Sequence, residues 1–165
     1  MTTTTTTPTP TTAPTTGPAS PAATGGAQGA LKRRWPTALG LAATAASLAL
    51  VSPLPAQAQT WIGAWGVLTA AVIYVSWGTA RGDLTARRWL TIETVGVLAF
   101  GALAILATAT DPDAGRYVLA AGWLGHAAWD LVHHHAGRVV PRWYAELCMI
   151  CDLVVAASLL LVGTL

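Results

Sequence analysis

The chain has 165 residues, of which 53% are apolar and only 10% charged. Soluble domains carry roughly 25% charged residues, so the composition points to lipid as the solvent. A net charge of +2 with no basic stripe gives no nucleic-acid footprint, and two cysteines, Cys148 and Cys151, are too few for a disulfide-stapled scaffold.

The chain opens on "MTTTTTTPTPTTAPTTGPASPAATGGAQGA", which has no charge and no large apolar residue beyond the first Met. Such a segment cannot bury enough surface to offset its chain entropy, so it is expected to be a solvated, disordered tail. A compact basic cluster, "LKRRW", then leads into a first apolar stretch from Pro36 to about Leu54. That stretch is Ala- and Thr-rich and only moderately apolar. Ala56 and Ala58 after it have the small-x-small spacing of a signal-peptidase site, although the preceding tail is far too long for an ordinary signal-peptide n-region. Retention as a first helix is the favoured reading, with cleavage after Ala58 the alternative.

Four further apolar segments run from about Trp61 to Ala80, Trp89 to Thr110, Gly115 to His134 and Trp143 to Gly163. Each approaches the roughly 20 residues a helix needs to cross a bilayer core. Segments of about ten alternating residues, the mark of a membrane β-barrel, are not evident. Trp61, Trp77, Trp89 and Trp143 stand at segment ends, as an aromatic belt does. Lys32, Arg33 and Arg34 precede the first helix, Arg81, Arg87 and Arg88 separate the second from the third, and Arg138 and Arg142 separate the fourth from the fifth. The opposite side has only Arg116, beside Asp111 and Asp113. The positive-inside rule therefore predicts a multi-pass protein with a cytoplasmic N-terminus, and its expected place is a bacterial cytoplasmic (inner) membrane. A cytoplasmic Thr/Pro tail would not meet an extracytoplasmic glycosylation system.

Ionisable residues inside such helices are costly, about 2.5–3.5 kcal/mol each at the centre, and persist when buried, paired or functional. On the fourth helix, Gly122, His126, Trp129, Asp130 and His133 share one face at 100° per residue, while Leu124, Ala127, Ala128, Leu131 and Val132 take the other. In lipid the polar stripe faces inward. His134 lies at its edge and His135 points away, toward the interface. On the fifth helix Cys148 and Asp152 share a face with Ala145 and Ala156, and Cys151 lies in the same broad sector; Glu146 points elsewhere. On the third, Glu93 lines up with Trp89, Gly96, Val97 and Phe100. Counting about 1.5 Å per residue from the cytoplasmic ends puts His126 and Asp152 at one depth. Asp130, Cys148 and Glu93 fall at a shallower one, with His133 below them. The short connection makes helices four and five antiparallel neighbours.

Several chemistries fit this cluster. Imidazole and carboxylate suit a divalent metal, zinc or iron, with His126, Asp130, His133, His134 and Asp152 as candidate ligands. An open position on such an ion could activate water against a lipid-borne ester, amide or phosphate, with Asp130 and Asp152 as the candidate catalytic carboxylates and Glu93 in support. Alternatively the polar residues form an interhelical hydrogen-bond network in a structural or accessory membrane subunit. A further alternative is proton or small-solute transport. The Cys148-x-x-Cys151 spacing has a redox form, but two small core cysteines explain it more simply.

The run "GHAAWDLVHHHAG" followed by "CMICDLVVA" resembles a pattern of small uncharacterised bacterial multi-pass membrane proteins, H-x-x-W-D-x-x-H-H and then C-x-x-x-D. The matching positions are His126, Trp129, Asp130, His133 and His134, then Cys148 and Asp152. The resemblance covers the last quarter of the chain and implies a membrane-embedded fold, with no activity to carry over. Together these readings predict an all-α integral membrane bundle of five transmembrane helices, or four if the first is a cleaved signal. Residues 1–34 form the tail with its basic juxtamembrane cluster, and 35–165 the helical domain. The expected partners are the lipid bilayer and either a second copy or another membrane protein, with no nucleic acid.

Overall fold

The computed structural model describes residues 1, 3 and 26–161, with helical side chains from Arg34 onward. The remaining tail, 2 and 4–25, and the last four residues lie outside the described part, and with them most of the expected disorder. Five α-helices follow in order: α1 (Gly26–Val51), α2 (Ala56–Ala80), α3 (Arg87–Ala109), α4 (Pro112–Ala136) and α5 (Arg142–Leu161). No strand occurs among the described residues.

The four later helices lie where the apolar segments placed them, to within a few residues. The first does not: α1 begins at Gly26, ahead of the basic cluster, and Pro36 lies inside it. The stretch "GAQGALKRRW" is rich in strong helix formers, which lets the helix start well before the apolar run. Among the described residues, three helices rather than five are apolar enough, by length and composition, to cross a membrane: α2, α3 and α5. The Ala/Thr content of α1 and the polar stripe of α4 keep those two below that standard.

Local signals fix the helix ends. Asp111 caps α4 by accepting from Ala114 N at 3.0 Å, and Pro112 fills the first helical position, where no N–H is needed. Gly137, with φ 61°, ends α4 in the left-handed conformation and donates its N–H to His133 O.

α4 is the hub. It packs most extensively on α5, its antiparallel neighbour, and also on α3 and α2, while α1 joins the bundle through α5. Close approach at two crossings depends on glycine. A Cβ on Gly40 would lie 2.8 Å from Leu147 O where α1 meets α5. One on Gly96 would lie 2.6 Å from the Trp129 ring where α3 meets α4. Small buried residues such as Ala64, Ala71, Ala104, Ala107 and Ala120 let the other helices approach.

The surface is inverted relative to a water-soluble fold. Val95, Leu98, Ile105, Leu131 and Val132 are more than 40% exposed, while Glu93, His126, Asp130, His133 and Asp152 are at most 2% exposed. The polar face of α4 is buried as the periodicity requires. Ala127, expected on the outer face, is buried too, because α4 is packed on three sides.

The connections after α2 and α4 meet at one end. Asp83 accepts from Arg138 Nη1 at 3.1 Å, from Val139 N at 2.9 Å and from Arg81 Nε at 3.2 Å. Partial burial works to raise the Asp83 carboxyl, but the Val139 N–H and the two guanidiniums outweigh it and hold the group below its ordinary range. Thr37, just after Pro36 in α1, donates to Glu146 near the start of α5 at 2.6 Å. The described basic residues Arg34, Arg81, Arg87, Arg88, Arg138 and Arg142 therefore share one end of the bundle, and Arg116 is at the other.

Candidate metal centre

Two polar groups lie inside the bundle, one helical turn apart along α4. The deeper one joins α4, α5 and α2. His126 Nδ1 is 2.8 Å from Asp152 Oδ2 and 3.5 Å from Asp130 Oδ1. Tyr74, from the C-terminal half of α2, donates its hydroxyl to Asp130 Oδ1. Tyr74, His126 and Asp130 have no exposed surface. The His126 ring is enclosed by Phe100, with centroids 5.0 Å apart, and by the edge-on Tyr74 ring at 5.5 Å.

These contacts leave two atoms without a protein partner: His126 Nε2 and Asp130 Oδ2 are both buried and unbonded. An unsatisfied polar atom of this kind costs about 1–3 kcal/mol, more for a charged group. One ligand atom each from His126, Asp130 and Asp152 can be chosen so that all three lie within 4.8 Å of one another. Metal bonds of 2.0–2.2 Å need ligand atoms roughly 3–4 Å apart, so an ion bound here would draw the three together.

The second group sits toward the basic end. His133 Nε2 is 2.7 Å from Glu93 Oε1, and its Nδ1 is 2.8 Å from Trp129 O. A carbonyl only accepts, so Nδ1 carries a proton. One further proton then lies between Nε2 and the carboxylate, and the pair is neutral overall whichever atom holds it. Trp89, Trp129 and Tyr74 surround the imidazole at 5.6, 5.2 and 5.0 Å between centroids.

Of the five candidate ligands, the structure brings together His126, Asp130 and Asp152. His133 is instead engaged by Glu93, which gives Glu93 a definite partner one turn from the centre. His134 turns outward and lines an open surface groove with His135, Arg34, Thr37 and Glu146. The two cysteines diverge: Cys151 Sγ donates to Gly40 O on α1 at 3.4 Å, and both are free thiols. Trp61 and Trp143 are exposed at helix ends as a belt requires, whereas Trp77 and Trp89 are partly covered by Tyr144 and His133.

Sequence reasoning missed Tyr74. It is a lone phenol within an apolar helix, about one turn before Trp77. A buried hydroxyl there needs a partner, and that was the available signal. No protein-family model, curated protein or solved structure matches the chain.

Proposed function

We propose that this chain is a multi-pass protein of a bacterial cytoplasmic membrane that holds a divalent metal ion, zinc or iron, at His126, Asp130 and Asp152. All five helices span in this reading. His126, Asp130 and His133 of α4 point into the bundle and its Leu124, Leu131 and Val132 point out, so the polar stripe does not have to meet lipid. The basic end faces the cytoplasm.

The observation that carries the metal assignment is the donor set itself. Two carboxylates and one imidazole are buried together, both carboxylates face His126 Nδ1, and Asp130 Oδ2 is left unbonded. Two carboxylates balance a dication, so the loaded centre is neutral, as a low-dielectric interior demands. Three protein ligands leave a fourth position on a tetrahedral ion. A water there would be activated for attack on a lipid-borne ester, amide or phosphate entering from the bilayer, which makes metal-dependent hydrolysis the reaction class. Tyr74 would hold Asp130 in orientation.

The zero exposure of His126 and Asp130 favours a second reading, an interhelical tie that fixes α2, α4 and α5 in a structural or accessory subunit. Metal analysis of detergent-solubilised protein, purified without chelators, separates the two. The metal reading predicts close to one equivalent of zinc or iron, lost in Asp130→Asn. Metal-free wild-type protein of normal thermal stability would leave only the tie.

A further inference from the structure

The basic end of the bundle holds a groove that lies apart from the metal centre. α1 and α4 both pack on α5, and a groove of about 480 Å³ is lined by all three. Its outer level is polar, with Arg34 from α1, His134 and His135 from α4, and Glu146 from α5. One helical turn deeper, Leu131, Met149 and Ile150 supply an apolar wall. Residues three and four apart stand one above the other on a helix, so each of α4 and α5 presents a polar group over an apolar one. Two contacts organise the polar level. Thr37 donates to Glu146 Oε1 at 2.6 Å and so fixes the carboxylate at the α1–α5 crossing. His135 donates Nδ1–H to Leu131 O at 2.8 Å, which leaves Nε2 to meet a ligand.

We propose that this groove binds one phospholipid of the cytoplasmic leaflet, of the class whose headgroup carries both a phosphate and a primary ammonium. The proposal rests on the membrane reading above and not on the metal. The groove changes from polar to apolar along the bundle axis, as a phospholipid does along the membrane normal. Arg34 donates to the phosphate through its planar guanidinium, and the two imidazoles stand beside it. The first acyl-chain carbons then lie along Leu131, Met149 and Ile150. Glu146 decides which headgroup is taken. A purely anionic head would bring a second negative charge to its carboxylate, whereas an ammonium donates to it. Basic pockets between spanning helices on the cytoplasmic side are common lipid-headgroup sites, and the carboxylate is what makes this one selective for an amine.

The test is native mass spectrometry of the detergent-solubilised full chain. It is offered equal amounts of phosphatidylethanolamine, phosphatidylglycerol and phosphatidylcholine with the same acyl chains. The wild type is expected to retain phosphatidylethanolamine roughly three- to tenfold over the other two, because choline has no N–H and glycerol no positive charge. Glu146→Gln keeps an acceptor for Thr37 and should abolish that preference. Arg34→Gln should lower retention of all three lipids. Arg87→Gln, which removes the same charge at the same end but outside the groove, should change nothing. Equal retention of the three lipids by the wild type would overturn the proposal. So would a preference that survives Glu146→Gln, or an Arg87→Gln variant as impaired as Arg34→Gln. A chain that stays in solution without detergent would overturn the membrane reading as well.

Discussion

Glu93 offers a test of how the polar core is held, because two substitutions there predict different costs. Glu93→Ala removes the carboxylate that meets His133 Nε2 and opens a space beside a residue with no exposed surface. Breaking one half of a buried pair costs about 3–5 kcal/mol. At about 1.4 kcal/mol per decade, that is a fall of roughly a hundred- to several-thousand-fold in the folding equilibrium. Glu93→Gln keeps the volume and a donor. Since the native pair is neutral overall and His133 Nδ1 is committed to Trp129 O, a glutamine amide can donate to the Nε2 lone pair, and the expected loss is about 1 kcal/mol or less. Reversible unfolding in mixed micelles, followed by tryptophan fluorescence, reads both, since Trp89 and Trp129 flank the imidazole. A glutamine variant as unstable as the alanine would refute this argument, because the amide would then have failed to replace the carboxyl as the partner of His133 Nε2.

Gly96→Ala should lower stability by about 1–3 kcal/mol, since its Cβ would meet the rigid Trp129 ring at 2.6 Å; an unchanged melting temperature would mean that α3 and α4 can separate freely. Tyr74→Phe should weaken metal binding by roughly 10–100-fold by freeing Asp130 to rotate, measured by competition with a chelating dye, and unaltered affinity would remove Tyr74 from the site. Metal affinity should fall as pH is lowered, because protons compete for the same imidazole and carboxylate atoms; a flat pH profile would speak against those ligands. Asp83→Asn should loosen the two basic connections. Because the folded carboxyl is held below its ordinary range, its contribution is complete at neutral pH and disappears as pH falls through the depressed value. The stability gap between wild type and Asp83→Asn should therefore close in acid, and a gap that widened there would contradict the clasp.

Helical period and lipid cost made much of the interior readable from the sequence. A 100° step put His126, Asp130 and His133 on one face of α4, and counting from the basic ends matched His126 with Asp152 across a short turn. Both relations depend on local geometry, which a sequence carries. What it could not carry is which of several inward residues meets which. His133 stands one turn nearer the basic end than Asp130, and α3, not α5, supplies its partner there. Depth alone had placed Glu93 level with Asp130. His134 is a further 100° around α4, enough to turn it outward. Asp83 looked like one more loop carboxylate, because its contacts with Arg138 and Val139 exist only once two distant turns meet. The start of α1 was misjudged for a different reason: the apolar run begins at Pro36, but a helix needs only propensity to begin, and the residues before the proline supply it.

The central claim is a metal ion held between α4 and α5 in the membrane interior. Anomalous X-ray diffraction at the zinc or iron edge, on crystals of the native metal-loaded protein, tests it most directly. The account predicts a single strong peak at about 2.0–2.3 Å from side-chain atoms of His126, Asp130 and Asp152. A peak found only at the surface near His134 and His135, or an interior without one in protein shown to carry metal, would contradict it.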